Sequence, residues 1–171
     1  MSSMLTVERY TETDWCNYTH AATAAAQAKS HNGKPMGTWI SVPGEDDWPA
    51  WCRSEGFALA KLGYRHTLQL DMRRVLLIDT LDKLDAFNDS LEPRPDLPSL
   101  PARFGYRERP VILFPWWAPM VERYAGIVIA PYQWERRYDY HWYYGWDCAS
   151  GCIWDPSVLL RVKTERVGAT V

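Results

Sequence analysis

Two short apolar runs do most to limit the folds open to this chain of 171 residues. Val75-Leu76-Leu77-Ile78 and Gly126-Ile127-Val128-Ile129-Ala130 are of the kind buried at the centre of a sheet. Other strands are expected at Leu5 to Tyr10, which alternates, at Gly37 to Val42, at Tyr64 to Leu70 and at Arg73 to Ile78. Cys152 to Asp155 reads as the last strand. Helices are expected from Thr13 to Ser30, capped by Thr13 or Asp14, and after Asp46-Asp47, with Pro49 in the first turn. Trp48, Trp51, Cys52, Glu55, Leu59 and Leu62 follow the turns of that second helix. Shorter helices are expected after the Thr80 cap through Phe87, and from Trp116 to Tyr124. Asp79, Asp82 and Asp85 read as the start and exposed face of the first of these. Helices fall early and strands dominate late, without a regular βαβ succession. The expected class is α+β: a single compact domain over residues 1–171, with a mixed or antiparallel sheet core and a few short helices.

One internal boundary candidate interrupts this order. Pro93, Pro95, Pro98 and Pro101 make the stretch near 90–110 an exposed loop, but the pieces on either side are too small to fold alone. The net charge of -2 argues against a strongly basic nucleic-acid binder. No apolar stretch approaches the roughly 20 residues needed to cross a bilayer. The opening MSSMLTVERY lacks the basic region and apolar run of a secretion signal. Cys16, Cys52, Cys148 and Cys152 are therefore expected as reduced thiols in a cytoplasmic protein. With His20, His31, His66 and His141 scattered, no metal site is expected. The chain lacks G-x-G-x-x-G, P-loop, G-x-S-x-G and H-E-x-x-H patterns.

Composition then points toward binding. Ten Trp and ten Tyr stand against four Phe. Both favoured residues join a large apolar face to a polar handle, so many rings are expected to be half-wet. They concentrate in Pro131 to Asp155, where Arg136 and Arg137 are interleaved with Trp134, Tyr138, Trp142 and Tyr143. Flat faces stack on planar ligands and guanidinium groups take phosphates. The simpler reading is a hairpin whose alternate rings pack on the core. Within it, Trp146-Asp147-Cys148-Ala149-Ser150-Gly151 suits a tight turn lining a cleft. A second block, Gly37-Thr38-Trp39-Ile40-Ser41, puts Trp39 and Ser41 on one face of a strand. A third is Arg9-Tyr10, at the end of the first strand.

The order of these three blocks resembles the ADP-ribosyltransferase superfamily: Arg9-Tyr10-Thr11, then GTWIS followed by a helix, then WDCASG running into CIWDPSVLL. The resemblance implies a split sheet and an aromatic-lined cleft for NAD or a related nucleotide. Arg9 would contact the diphosphate or ribose, and Ser41 would support the nicotinamide ribose. Trp39 or Tyr10 would stack on nicotinamide, with Tyr143 also lining the site. Ser150 stands where the family carries its acid and Asp147 precedes it in the turn, so these two are the catalytic candidates. A macromolecular acceptor would receive the ADP-ribose. Two other functions fit the same residues: a non-catalytic module for a nucleotide or nucleotide-derived signal, and a protein-interaction module that uses the 132–146 loop.

Overall fold

The computed structural model describes residues 3–14, 21–30 and 33–167. Its centre is one mixed sheet of seven strands: β1 (Met4–Thr11), β2 (Thr38–Ser41), β3 (Tyr64–Asp71), β4 (Val75–Ile78), β5 (Gly126–Ile129), β6 (Ser150–Ile153) and β7 (Leu159–Arg166). The spatial order is β4-β5-β6-β2-β1-β3-β7, with β4 and β5 parallel and every other neighbouring pair antiparallel. Five short helices accompany it: α1 (Ala24–Ala28), α2 (Trp48–Glu55), α3 (Leu81–Ser90), α4 (Met120–Arg123) and α5 (His141–Tyr144). The α+β class expected from the sequence is the class observed.

Local chemistry explains most of the boundaries. The Asp47 carboxylate caps α2 by accepting from Ala50 N at 2.9 Å, Pro49 occupies the first turn, and Gly56 ends the helix at φ 61°. Leu59 and Leu62, expected on that helix, instead belong to a separate 3-10 turn after Gly56. Thr80 caps α3. The long helix expected from Thr13 is reduced, among the described residues, to α1 with Thr23 as its cap, and positions 15–20 lie outside them. The helix expected from Trp116 is the single turn α4. Cys152 to Asp155 is not the last strand, because β7 follows it and pairs along β3 from Tyr64 to Leu70.

The aromatic residues divide: Tyr10, Trp39, Trp48, Trp51, Tyr64, Trp116 and Tyr124 are half-buried, as expected, while a second set is not. Trp117, Trp142, Trp146, Trp154, Tyr132, Tyr140 and Tyr143 are buried rather than half-wet. They pack with Ile78, Leu84, Phe87, Ile127 and Ile129 in the larger of two apolar clusters. Most of their polar handles are satisfied inside the protein, the buried Tyr132 hydroxyl being an exception. Trp117 Nε1 donates to the Gly33 carbonyl at 3.0 Å, Trp142 Nε1 to Asn88 Oδ1 at 3.0 Å, and Trp154 Nε1 to the Tyr124 carbonyl at 2.6 Å. Trp and Tyr serve here as large core residues that also cross-link backbone loops.

Two charged residues are drawn into this core. Asp85, expected on an exposed helix face, is 8% exposed and accepts from Arg136 Nε at 2.8 Å, Arg136 Nη2 at 3.0 Å and Tyr140 Oη at 2.7 Å. The Arg136 guanidinium, helped by Tyr140, holds the Asp85 carboxyl below its ordinary range. Arg136 is thereby committed to structure and does not await a phosphate. Arg94 anchors the proline-rich loop from within: it is 5% exposed, pairs with Asp96, and donates to the Ser30 carbonyl. Among the described residues, no helix is long and apolar enough to cross a membrane.

Candidate functional site

An opening with converging polar groups lies where the sheet is most weakly joined. β1 and β2 share one register pair, Glu8 with Ser41. Past that pair, Arg9 to Glu12 on one side and Gly37 to Ile40 on the other border a cleft of about 530 Å³. Side chains on a strand normally alternate between two separate faces. On its β2 side β1 has no strand partner beyond Glu8, so residues from both of its faces reach the same space. Gly37 keeps the far wall tight: a Cβ there would stand 2.5 Å from the Ile153 carbonyl oxygen.

Of the seven residues proposed from the sequence, Arg9, Tyr10, Trp39, Ser41, Asp147 and Ser150 all border this cleft. Their roles in it differ. Arg9 Nη1 donates to the Trp39 carbonyl at 3.3 Å, bridging the gap between β1 and β2, while its Nε is buried without a hydrogen-bond partner. The Trp39 ring meets Trp146 edge-on at 4.8 Å, and Lys34 Nζ lies 5.2 Å from the Trp39 ring centre. The Ser41 hydroxyl accepts from Trp48 N at 3.0 Å, fixing the start of α2 against the end of β2. Tyr10 Oη donates to Glu8 Oε2 at 2.5 Å. Burial, followed by that carboxylate, raises the Tyr10 phenol far above its ordinary value, so it remains a proton donor.

Asp147 sits in a strained turn. Its φ is 70°, and Cys148 N donates to the Trp146 carbonyl across it at 2.9 Å, the pattern of a γ-turn. This turn aims the carboxylate between two cations, with Oδ2 3.9 Å from Lys34 Nζ and Oδ1 3.7 Å from Arg137 Nη2. Ser150 is 4% exposed and its hydroxyl donates to the Cys148 carbonyl at 3.0 Å. That hydroxyl closes the turn and is not presented to a ligand.

Tyr143 is the residue the structure does not bring to the cleft. It is 0% exposed, stacks on Tyr132 at 5.1 Å, and accepts from Gln133 N at 2.8 Å. The 132–146 segment is not a hairpin either. It contains a 3-10 turn and α5, and meets the cleft only at its end, through Trp146. Its outer surface is a cluster in which Trp134, Tyr138 and Tyr144 are exposed around the Arg137 guanidinium, at 5.5, 5.9 and 5.4 Å from the ring centres.

Sequence reasoning missed three contributors to the cleft. Glu8 was readable, because period-two spacing puts it on the Tyr10 face of β1. No pattern in the sequence singles out Lys34, and Trp48 reads as a helix residue; both border the cleft. Thiol chemistry finds no support here. Burial pushes the Cys148 thiol up to about 12 and the Cys52 thiol up to about 11, so both stay protonated at neutral pH. Cys52, Cys148 and Cys152 are free; Cys16 lies outside the described residues. Among the described residues, no group of three or more His, Cys, Asp or Glu is placed to hold a metal ion.

The cleft therefore offers aromatic faces (Trp39, Trp48, Tyr10), cations (Arg9, Lys34) and carboxylates (Glu8, Asp147) within one space. That set suits a ligand with planar rings, an anionic bridge and hydroxyl groups. No protein-family model, curated protein or solved structure matches this chain.

Proposed function

We propose that the chain is an ADP-ribosyltransferase-like protein whose cleft binds NAD or a closely related nucleotide. The observation that carries this reading is the convergence of Arg9, Trp39-Ser41 and Asp147 on one opening. Three segments far apart in sequence contribute β1, β2 and the turn before β6, which are neighbours in the sheet. Arg9 and Lys34 supply positive charge for a diphosphate, and Trp39 supplies an aromatic wall. In a transfer reaction, the bond between ribose C1′ and the nicotinamide nitrogen breaks. The electron pair leaves with nicotinamide, and an acceptor group or water bonds to C1′ and loses its proton. Fixed charges placed before the reaction would supply the main acceleration.

A second reading, binding without turnover, is favoured by the state of the expected acid. Ser150 stands in its position with its hydroxyl engaged, and Asp147 is already flanked by Lys34 and Arg137. One paired measurement separates the readings. Calorimetric titration with NAD and ADP-ribose is expected to show saturable binding that Arg9→Ala weakens by about 10-fold or more. Nicotinamide release from NAD by the same preparation is expected for a transferase and absent for a binding module. A flat titration with both ligands removes the nucleotide reading altogether, and leaves the exposed Trp134, Tyr138 and Tyr144 cluster as the surface to test for protein partners.

A further inference from the structure

Resting on the nucleotide reading, we infer that Glu8 is the carboxylate that faces the reacting ribose carbon, and that the cleft binds its ligand in one direction set by charge. Glu8 and Asp147 both border the cleft, but their surroundings have opposite sign. Asp147 lies within 3.9 Å of Lys34 and 3.7 Å of Arg137, so its end of the cavity carries excess positive charge. Glu8 has one cation within reach, Arg65 Nη1 at 3.6 Å. That guanidinium is bonded more closely to Glu165, with Nη2 donating to Oε2 at 2.9 Å. Asp47 acts electrostatically on Tyr10, and Glu12 borders the cleft beside Lys61, so the Glu8 end is the less positive one.

The ligand's own charges match this polarity. A diphosphate is anionic and belongs at the Lys34 end. The nicotinamide ring is cationic, and C1′ becomes cationic as the glycosidic bond breaks, so both belong beside Glu8. An oxocarbenium-like centre next to a carboxylate is stabilised, and next to a net positive cluster it is destabilised. The position of Glu8 is also rigid. It forms the single β1–β2 register pair with Ser41, its side chain is 12% exposed, and the 2.5 Å hydrogen bond from Tyr10 orients one carboxylate oxygen. In the step itself, the C1′–nitrogen bond breaks and its electrons go to nicotinamide, which becomes neutral. Water or an acceptor hydroxyl or amine bonds to C1′ and its proton passes to solvent. Glu8 changes no bond; it balances charge.

The test uses the full chain, NAD as the probe, and two readouts: affinity by calorimetry and nicotinamide release. Glu8→Gln keeps a hydrogen-bond acceptor for Tyr10 and removes only the charge. It is expected to bind NAD within about threefold of the parent and to release nicotinamide about 100-fold more slowly. Asp147→Asn is expected to slow release less than Glu8→Gln does. If Glu8→Gln turns over at the parental rate, or Asp147→Asn loses turnover while Glu8→Gln does not, the assignment is overturned. Should Glu8→Gln not fold, Tyr10→Phe and Glu8→Asp carry the comparison. Tyr10→Phe keeps the carboxylate and is expected to slow release less than Glu8→Asp, which withdraws it and is expected to lose at least about 10-fold. A parent protein that binds NAD but releases no nicotinamide overturns the role of Glu8 and leaves nucleotide binding standing. A parent that does not bind NAD overturns both.

Discussion

The two halves of the sheet are built to different rules. On one side, β4, β5, β6 and β2 are four residues long, and β5 and β6 are buried at every position. On the other, β1, β3 and β7 each run for eight residues, and β7 exposes Leu160 at 63% and Val162 at 55%. β5 and β6 are covered on both faces, and apart from Ser150 their side chains are apolar or absent. The long strands retain polar and charged groups on a wetter surface. The cleft falls at the seam between the halves, where long-strand residues such as Glu8, Arg9 and Tyr10 meet the aromatic wall that belongs to the short-strand half.

This contrast can be broken most forcefully in the buried half. A Cβ on Gly151 would stand 2.6 Å from the Ile127 carbonyl oxygen and 2.8 Å from Val128 Cγ2. Neither neighbour has space to yield, so Gly151→Ala is expected to cost about 2–4 kcal/mol in urea unfolding, with nucleotide affinity falling as the wall shifts. A cost below about 1 kcal/mol would show that the short-strand half is looser than its burial implies.

The polar pin of the other half gives a smaller effect that depends on pH. His66 is 0% exposed, with Nε2 2.6 Å from Thr11 Oγ1 and Nδ1 2.9 Å from Thr164 Oγ1, and so ties β1 and β7 to β3. Thr11 Oγ1 already donates to the Thr13 carbonyl at 2.6 Å, which makes Nε2 the donating nitrogen and Nδ1 the acceptor of a neutral ring. Burial first, then Arg161 and Arg9, lower the His66 pKa below its ordinary 6.5, against a weaker upward pull from Asp14. The unfolded chain therefore takes up a proton near 6.5 that the folded chain refuses. Stability contributed by the neutral ring is complete above that value and declines as pH falls below it, toward the lower folded value. Thermal unfolding between pH 7 and pH 5.5 is expected to show this decline, and His66→Gln to flatten it.

The smallest effect belongs on the exposed edge. Leu160 on β7 is 63% exposed, so Leu160→Thr is expected to change stability by less than about 0.5 kcal/mol. A larger loss would mean that this face is covered in solution, and would erase the distinction between the halves.

The same contrast decides what was legible in the sequence. Gly126–Ile129 was readable because a strand buried on both faces becomes a continuous apolar run. Val75–Ile78 reads the same way and is a strand, but it lies at the sheet edge with Leu77 exposed, not at the centre. The caps Asp47 and Thr80 were readable because capping is a local hydrogen bond. β7 was not, since an edge strand with one neighbour needs no strict alternation, and Leu159–Arg166 mixes apolar and charged residues on both faces. Within the site, Arg9, Tyr10, Trp39, Ser41 and Asp147 were found because strand order and period-two alternation place them. Tyr143 was misplaced because a ring with a hydroxyl reads the same in sequence whether that hydroxyl reaches water or, as here, Gln133 N. The opposing local charge around Glu8 and Asp147 depends on Arg65, Lys34 and Arg137. These residues approach only through tertiary contacts.

The single register pair between β1 and β2 has a mechanical consequence. A ladder of several rungs fixes both the distance and the angle between two strands; one rung at Glu8 and Ser41 fixes the distance at a point and leaves the angle free. Arg9, reaching from β1 to the Trp39 carbonyl, acts as a strut across that angle. The aperture of the cleft is thus set by a pivot and a strut rather than by a rigid wall.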